Sequence, residues 1–196
     1  MDYRLYRWVN GIDRHHTWLP HAFNVLETVG VVVIAVAACS LWLLARPGGS
    51  RRWKLAAASA LASAGLALLV NRLIAHFWDR ARPYESHHGL YTLSHSHDPS
   101  FPSDHASAAF GIAFAVVLFE PLAGALFLAL ALLIGVGRVI IGAHYPGDVL
   151  AGLGVGLAAA FVVVAIARPV IGFLVRLVER ITDPVTAVAW RAFARR

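Results

Sequence analysis

The amino-acid sequence predicts an all-α membrane protein, a polytopic bundle of about five transmembrane helices with further helices lying in the membrane interface. Composition is the first observation: 59% of the 196 residues are hydrophobic and 14% are charged, and the mean hydropathy is +0.66. An ordinary soluble domain carries about 25% charged residues. Long apolar segments, and the small residues inside them, are the second and third observations that place this chain in a bilayer.

Five apolar segments approach the roughly 20 residues with which a helix crosses a bilayer. They cover residues 24–45, 54–78, 105–119, 122–142 and 148–167. Glu120 and Pro121 separate the third segment from the fourth, so we expect these two helices to form a tight hairpin. Because no internal repeat and no soluble domain interrupts the pattern, residues 1–196 should form one membrane-embedded domain.

Small residues are concentrated in two of these segments, ASALASAGLA (58–67) and AGLGVGLAAA (151–160). Gly152 and Gly156 have GxxxG spacing, which lets helix backbones approach closely in lipid. The sequence therefore predicts a closely packed bundle.

The distribution of positive charge predicts the topology. The formal net charge is +6, but the basic residues lie in short clusters between apolar segments and not in the basic stripe of a nucleic-acid-binding protein. By the positive-inside rule, the basic segments 45–54 and 168–196 should face the cytoplasm. Five spans then place the N-terminus outside, and the loops 79–104 and 143–147 share the external face.

The two ends of the chain are amphipathic. Residues 3–19 and 170–193 alternate charged with aromatic or aliphatic residues, which is typical of helices lying in the interface, here on opposite faces. Residues 1–20 lack the apolar core of a signal peptide, so the first span should direct insertion. The single cysteine, Cys39, lies in an apolar run where we expect it to be buried, and one cysteine excludes a disulfide framework or a cysteine-based metal site.

The segment FPSDH (101–105) precedes the third apolar segment. Ser103 is a natural N-cap, and the free N–H groups of the first helical turn form an anion site. His105 should lie in that turn, where an imidazole can protonate a leaving oxygen. A plainly capped helix start is the alternative; the histidine and the arginine-bearing motifs elsewhere favour a functional site.

The segment GRVIIGAHYPGD (137–148) joins the fourth and fifth spans. Pro146 suits the first position of a helix, and Asp148 in the first turn can reach back to His144. A carboxylate that holds one ring nitrogen leaves the other as an oriented nucleophile. Arg138 stands in an otherwise apolar run, where a guanidinium indicates a buried anionic partner, most simply a phosphate. An aspartate that only caps the helix is the alternative.

Two arginines close the second span in RARPYE (80–85). Arg82, beside Pro83, suits a bidentate grip on phosphate oxygens, whereas Arg80 is either an interfacial anchor or a further cation of the site. Two arginines and a helix N-terminus can stabilise a transferring phosphoryl group without a metal. A metal cluster in the following loop is the alternative, but no acidic or cysteine ligand accompanies its histidines at a settled spacing, and we predict no metal or cofactor. These histidines are His87, His88, His95 and His97.

The motifs resemble those of a known family, the type 2 phosphatidic acid phosphatase (PAP2) superfamily, which includes vanadium haloperoxidases and acid phosphatases. Three stretches resemble its three signature motifs in order and spacing: Arg82-Pro83, Pro102-Ser103-Asp104-His105 and Arg138-x5-His144-x3-Asp148. The stretch SHDPSFPSDHA (96–106) and the small size resemble the bacterial BcrC-like undecaprenyl-diphosphate phosphatases in particular. The resemblance implies a PAP2/haloperoxidase-like helical core.

The resemblance also implies a role for each motif residue. His144 would attack phosphorus and form a phosphohistidine, Asp148 would orient it, and His105 would protonate the leaving group. The phosphoryl oxygens would be held by Arg82, Arg138, Ser103 and the backbone N–H groups of Asp104 and His105.

Two positions depart from the family pattern. The lysine that usually stands seven residues before the arginine of Arg-Pro is Ala75 here, and Arg72 or Arg80 could replace its charge. The serine that usually precedes the arginine of the third motif is Gly137.

The resemblance implies hydrolysis of undecaprenyl diphosphate to undecaprenyl phosphate, recycling a carrier lipid for cell-wall synthesis, in a bacterial cell membrane with the site on the extracytoplasmic face. Arg80 and the helix start at Ser103 would accept the second phosphate. Phosphatidylglycerol phosphate and phosphatidic acid are alternative substrates. A small transporter is the alternative of a different class, but its charges would lie near the bilayer midplane, and a haloperoxidase would need a larger soluble scaffold. We expect lipids as the partners, and no nucleic acid; the sequence does not predict an oligomeric state.

Overall fold

The computed structural model describes residues 2–11, 18–87, 92–93 and 96–193, and this part of the chain is helical with irregular connections and no strand. The helices are α1 (Asp2–Gly11), α2 (Trp18–Leu44), α3 (Arg52–Phe77), α4 (Pro83–Ser86), α5 (Asp104–Phe119), α6 (Pro121–Ile140), α7 (Pro146–Phe161) and α8 (Arg168–Phe193). A π-helical turn, Val162–Ile166, extends α7. The all-α prediction is confirmed.

The five predicted spans each coincide with a helix. Three stretches among the described residues are long and apolar enough to cross a membrane, namely Arg52–Phe77, Pro121–Ile140 and Pro146–Ile166. Two shorter apolar stretches, Thr28–Leu44 and Asp104–Phe119, correspond to the first and third predicted spans. The chain is a helical membrane protein.

Helix α5 lies at the centre of the bundle and packs against α3, α6 and α7. A single residue, Glu120, separates α5 from α6, which begins at Pro121 as a proline-started helix can. The predicted tight hairpin is therefore present.

Glycines bring α7 against α5 as predicted. A Cβ atom at Gly152 would lie 2.9 Å from the carbonyl oxygen of Ser103, and one at Gly156 would lie 2.8 Å from that of Ser107. These approaches are too close for any side chain, so the GxxxG pair sets the separation between the two helices.

The terminal helices pack at opposite ends of α7. Helix α1 covers the junction between α6 and α7, where Tyr6 packs against Tyr145 at 5.7 Å between ring centroids and the Asn10 amide donates to the Ile140 carbonyl at 3.0 Å. Helix α8 follows the far end of α7 and packs against α3 through Val175. The predicted amphipathic segments are thus helical where the structure describes them; residues 12–17 lie outside the described part.

Cys39 is exposed on α2, so the prediction that it is buried was wrong. An apolar run shows its polarity but not its orientation, and in this helix Ile34, Ala38 and Leu41 face the core while Cys39 lies on the outward stripe with Val36. In a membrane helix both faces are apolar, and hydropathy alone does not separate them.

Candidate active site

The three motifs meet at one end of the bundle, where α5 and α7 begin and α6 ends. Residues from these helix ends surround His144 together with side chains from the segment that follows α3. The structure brings together six predicted site residues: His144, Asp148, Arg138, Arg82, Ser103 and His105.

A tight turn after α6 carries His144 back onto Arg138. Gly142 has a φ of 81°, a left-handed conformation that glycine adopts without strain. The amide groups of Ala143 and His144 both donate to the Arg138 carbonyl, at 3.0 and 3.2 Å. Six residues of sequence separation thus become a direct contact.

The hydrogen bonds of His144 define which ring nitrogen is reactive. Nδ1 lies 2.8 Å from the backbone carbonyl oxygen of Ser100, and because a carbonyl only accepts, Nδ1 carries the proton. Nε2 is then the unprotonated nitrogen, and the guanidinium groups of Arg138 and Arg82 lie 3.0 and 3.4 Å from it. A phosphoryl group in front of Nε2 would meet a nucleophilic lone pair between two cations.

Asp148 supports the ring less directly than expected. Its Oδ2 atom lies 3.7 Å from Nδ1 of His144, beyond hydrogen-bond distance. The same oxygen accepts hydrogen bonds from the Ser100 hydroxyl at 2.6 Å and from the Tyr145 amide at 2.9 Å. Asp148 therefore faces His144 without a direct hydrogen bond and contacts Ser100, which also provides the carbonyl next to the ring.

Ser100 is a residue of the candidate site that the sequence did not predict. It is fully buried, yet it occupies an irregular segment where neither periodicity nor a capping pattern singles out one serine. Its neighbour Pro99 and the nearby Pro102 would only have indicated a loop.

Burial and charge keep His144 neutral. Burial is the largest effect that lowers the pKa of His144, to about 4, and the positive charges of Arg138 and Arg82 lower it further, while Asp148 opposes them. At neutral pH the imidazole is unprotonated at Nε2, the form that a nucleophile requires.

Arg82 is fixed by backbone carbonyl groups. Its Nε donates to Asp98 at 2.9 Å and its Nη1 to Ala143 at 3.2 Å, and its side chain is buried. Arg138 is buried as well. Two buried guanidinium groups next to one nucleophilic nitrogen match the positive charge that a phosphoryl group in transfer demands.

The start of α5 is built as predicted. Ser103 is its N-cap, accepting from the Ala106 amide at 3.5 Å, and the Ser103 amide donates to the Asp148 carbonyl at 3.1 Å, which joins the starts of α5 and α7. His105 is half-buried in the first turn, near enough to His144 and both arginines to feel their charges. The Asp104 carboxylate is exposed and accepts from the amide of Asn71 at 2.7 Å. Direct contacts of Ser103, Asp104 and His105 with phosphate stay predictions.

Arg80 lies on the Asp148 side of the ring. Its guanidinium pairs with Asp148 Oδ1 at 2.6 Å and with Asp2 Oδ2 at 2.7 Å. Arg72, the other residue considered for the charge missing at Ala75, is exposed on α3. A contact of Arg80 with a second phosphate, and the replacement of the motif lysine by Arg72 or Arg80, stay predictions.

Phe23 occupies the space beside Gly137. A Cβ atom at this position would lie 2.9 Å from the Phe23 ring. The family's serine at this position would therefore require the Phe23 ring to move.

The loop histidines are only partly described. His88 and His95 lie outside the described residues, and His87 stacks on Tyr3 at 3.9 Å between ring centroids. Among the residues that the structure describes, no three metal-ligating side chains of His, Cys, Asp or Glu form a group.

Comparisons with known proteins identify the family. The profile of the PAP2 superfamily matches residues 56–171, which include every motif residue of the site. Undecaprenyl-diphosphatase BcrC of Bacillus subtilis (strain 168) is 27% identical over 189 residues, 95% of this chain and 96% of that protein. The putative undecaprenyl-diphosphatase YbjG of Escherichia coli (strain K12) is 30% identical over 158 residues, 80% of this chain and 78% of that protein.

A solved structure shows the same fold. The crystal structure of Aquifex aeolicus LpxE superposes with a TM-score of 0.71 at 24% identity, over 83% of this chain and 94% of that one. The helical core around His144 is therefore shared with a protein whose sequence differs at most positions. This chain belongs to the PAP2 superfamily and is a membrane lipid phosphatase.

Proposed function

We propose that the protein hydrolyses undecaprenyl diphosphate to undecaprenyl phosphate and inorganic phosphate, recycling the carrier lipid. The observation that carries the proposal is the unprotonated Nε2 of His144 held between Arg138 and Arg82. The two similar proteins named above as undecaprenyl-diphosphatases, one of them putative, support the choice of substrate.

The first step forms a phosphohistidine. Nε2 of His144 attacks the terminal phosphorus, an N–P bond forms, and the bond from phosphorus to the bridging oxygen breaks. The negative charge of the bound diphosphate favours the protonated form of His105. His105 then gives this proton to the bridging oxygen, and undecaprenyl phosphate leaves. Arg82 and Arg138 balance the charge on the equatorial oxygens, while Asp148 stabilises the positive charge that develops on the imidazole.

The second step releases phosphate. A water molecule attacks the phosphohistidine, His105 accepts its proton, and the N–P bond breaks, which restores neutral His144. His105 thus serves as an acid in the first step and as a base in the second, because the second step reverses the proton transfer of the first.

The surroundings of the site suit a lipid headgroup. Phe77 and Trp78, at the end of α3, are 85% and 63% exposed, and such aromatic residues are enriched at membrane interfaces. We place this end of the bundle at the extracytoplasmic face of a bacterial cell membrane, because the basic clusters lie at the other end.

Phosphate release by the purified protein tests the reaction. With undecaprenyl diphosphate, phosphatidylglycerol phosphate and phosphatidic acid compared in detergent, kcat/KM should be highest for the diphosphate. His144→Ala should abolish turnover while the protein still elutes as a folded species. Turnover by His144→Ala would refute the mechanism, and a preference for either glycerolipid would reassign the substrate.

Cysteine labelling tests the proposed topology. Because Cys39 is exposed, the background should be Cys39→Ala. His97→Cys, near the site, should react with an impermeant maleimide in intact cells, and Ser50→Cys only after lysis. The reverse pattern would place the site in the cytoplasm.

A further inference from the structure

Helix α1 contributes a carboxylate to the rear of the active site. Asp2 Oδ1 accepts from the Gly147 amide at 2.9 Å, and its Oδ2 accepts from Arg80 at 2.7 Å. A Cβ atom at position 147 would lie 2.8 Å from Oδ2 of Asp2, so this contact depends on a glycine between Pro146 and Asp148.

Arg80 connects that carboxylate to both groups that hold His144. Its Nη1 atom pairs with Asp148 Oδ1 at 2.6 Å, and its backbone carbonyl accepts from the Ser100 amide at 2.7 Å. The guanidinium carbon also lies 4.3 Å from the centroid of the Tyr145 ring, a favourable cation–π distance. The guanidinium is therefore held on three sides.

We infer that Arg80 and Asp2 are positioning residues for His144, with Arg80 fixing the Asp148 carboxylate and Asp2 fixing Arg80. This inference rests on the proposed role of His144 as the nucleophile. It gives Arg80 a role different from the grip on the second phosphate expected from the sequence, and it makes α1 a working part of the active site.

These contacts predict the direction in which each substitution shifts the protonation of His144. The ionisable groups that face His144 are Arg138 from α6, Arg82 and Arg80 from the segment after α3, His105 from α5, Asp148 from α7 and, through Arg80, Asp2 from α1. Arg80 partly neutralises Asp148, so its removal should let Asp148 favour protonated His144. Removal of the Asp2 charge should leave the Arg80 charge less compensated, and the Arg80 charge should then disfavour protonated His144.

Steady-state kinetics of Arg80→Gln and Asp2→Asn with undecaprenyl diphosphate test the inference. Arg80→Gln should lower kcat roughly 10- to 100-fold with little change in KM, since a misplaced reacting group slows chemistry by such factors, and Asp2→Asn should lower it less. The acid limb of kcat/KM should move to higher pH in Arg80→Gln and to lower pH in Asp2→Asn. The ionisation of the substrate is the same for all variants, so a difference in the position of the acid limb between variants reflects an ionisation of the enzyme.

Two further variants guard against a trivial loss of structure. Arg80→Lys keeps the charge and should restore the position of the acid limb. Arg7→Gln, which removes an exposed charge from α1, the helix that carries Asp2, should behave as the wild type. Acid limbs that shift in the same direction in Arg80→Gln and Asp2→Asn would overturn the inference.

The inference and the proposed function fail in different ways. If Arg80→Gln raises KM for the diphosphate without changing kcat or the acid limb, Arg80 is a phosphate ligand and the inference is wrong, while His144 keeps its role. If His144→Ala remains active in the same assay, the proposed function itself is wrong.

Discussion

The two ends of the bundle contain similar networks of charged side chains that have different consequences. At the end away from the site, the ammonium group of Lys54 is buried and contacts Glu179 at 3.3 Å and Asp183 at 2.6 Å. Both carboxylates belong to α8, so this network attaches the last helix to α3.

At the active-site end, Arg80 likewise joins two carboxylates, Asp2 and Asp148. Here the network continues from Asp148 to His144, whereas the Lys54 network continues to Arg51, which pairs with Glu179 at 2.7 Å and faces no reacting group. A cation between two carboxylates thus docks a terminal helix at each end of this bundle, and we expect it to affect chemistry only where one carboxylate also faces a reacting group. The following predictions test this difference.

Asp148→Asn should have the largest effect at the active-site end. The variant removes the charge that stabilises the imidazolium and weakens the contact with Arg80, so kcat should fall by about 10² to 10⁴, by analogy with catalytic triads. Phosphate release measures kcat, and circular dichroism checks that the helices remain. A kcat within a few-fold of the wild type would show that Ser100 alone orients His144.

Lys54→Met should affect stability and leave kcat unchanged. Removing the ammonium takes the Lys54 partner from Asp183 and one of two cations from Glu179, which keeps Arg51. Loss of one member of a buried ion pair destabilises a protein by about 3 kcal/mol, and the remaining Arg51 contact should make the loss smaller here. Unfolding in mixed detergent measures the change. Arg180→Gln, at an exposed position on α8, the helix that carries Glu179 and Asp183, is the matched control. A lower kcat for folded Lys54→Met would show that the two ends are coupled.

The titration of His144 should lie well below that of an ordinary histidine. Since burial lowers its pKa to about 4, the ring should stay neutral as the pH falls from 7 to about 5. A free histidine, whose pKa is about 6.5, would be mostly protonated at the lower pH. Nitrogen NMR of labelled histidine, with His144→Gln to assign the signal, measures this pKa. A midpoint near 6.5 would mean that the site is open to water.

Chelation should have the smallest effect. Arginine side chains and helix N–H groups provide the positive charge in the proposed mechanism, so EDTA should leave the rate of phosphate release unchanged. Loss of activity that one divalent cation restores would instead implicate the loop histidines.

Local patterns predicted most of the helices and the reacting groups. Apolar runs located the spans, Pro146 and Ser103 marked where α7 and α5 begin, and Arg138 in an apolar run indicated an anion. These properties depend on residues within one or two helical turns, so they can be read without the fold. The motif resemblance then assigned roles to His144 and His105.

Tertiary structure alone decided how the reacting groups are held. The contacts of Ser100 with His144, of Arg80 with Asp148 and of Asp2 with Gly147 join residues 44, 68 and 145 positions apart. No local periodicity encodes such pairs, because they depend on which helix ends meet when the bundle packs. Sequence by itself predicted a phosphatase site and a candidate nucleophile, His144. The packing of α1 and the loops decided that Asp148 contacts Ser100 and that Arg80 faces carboxylates, since a contact between distant segments is set by the packing that brings them together.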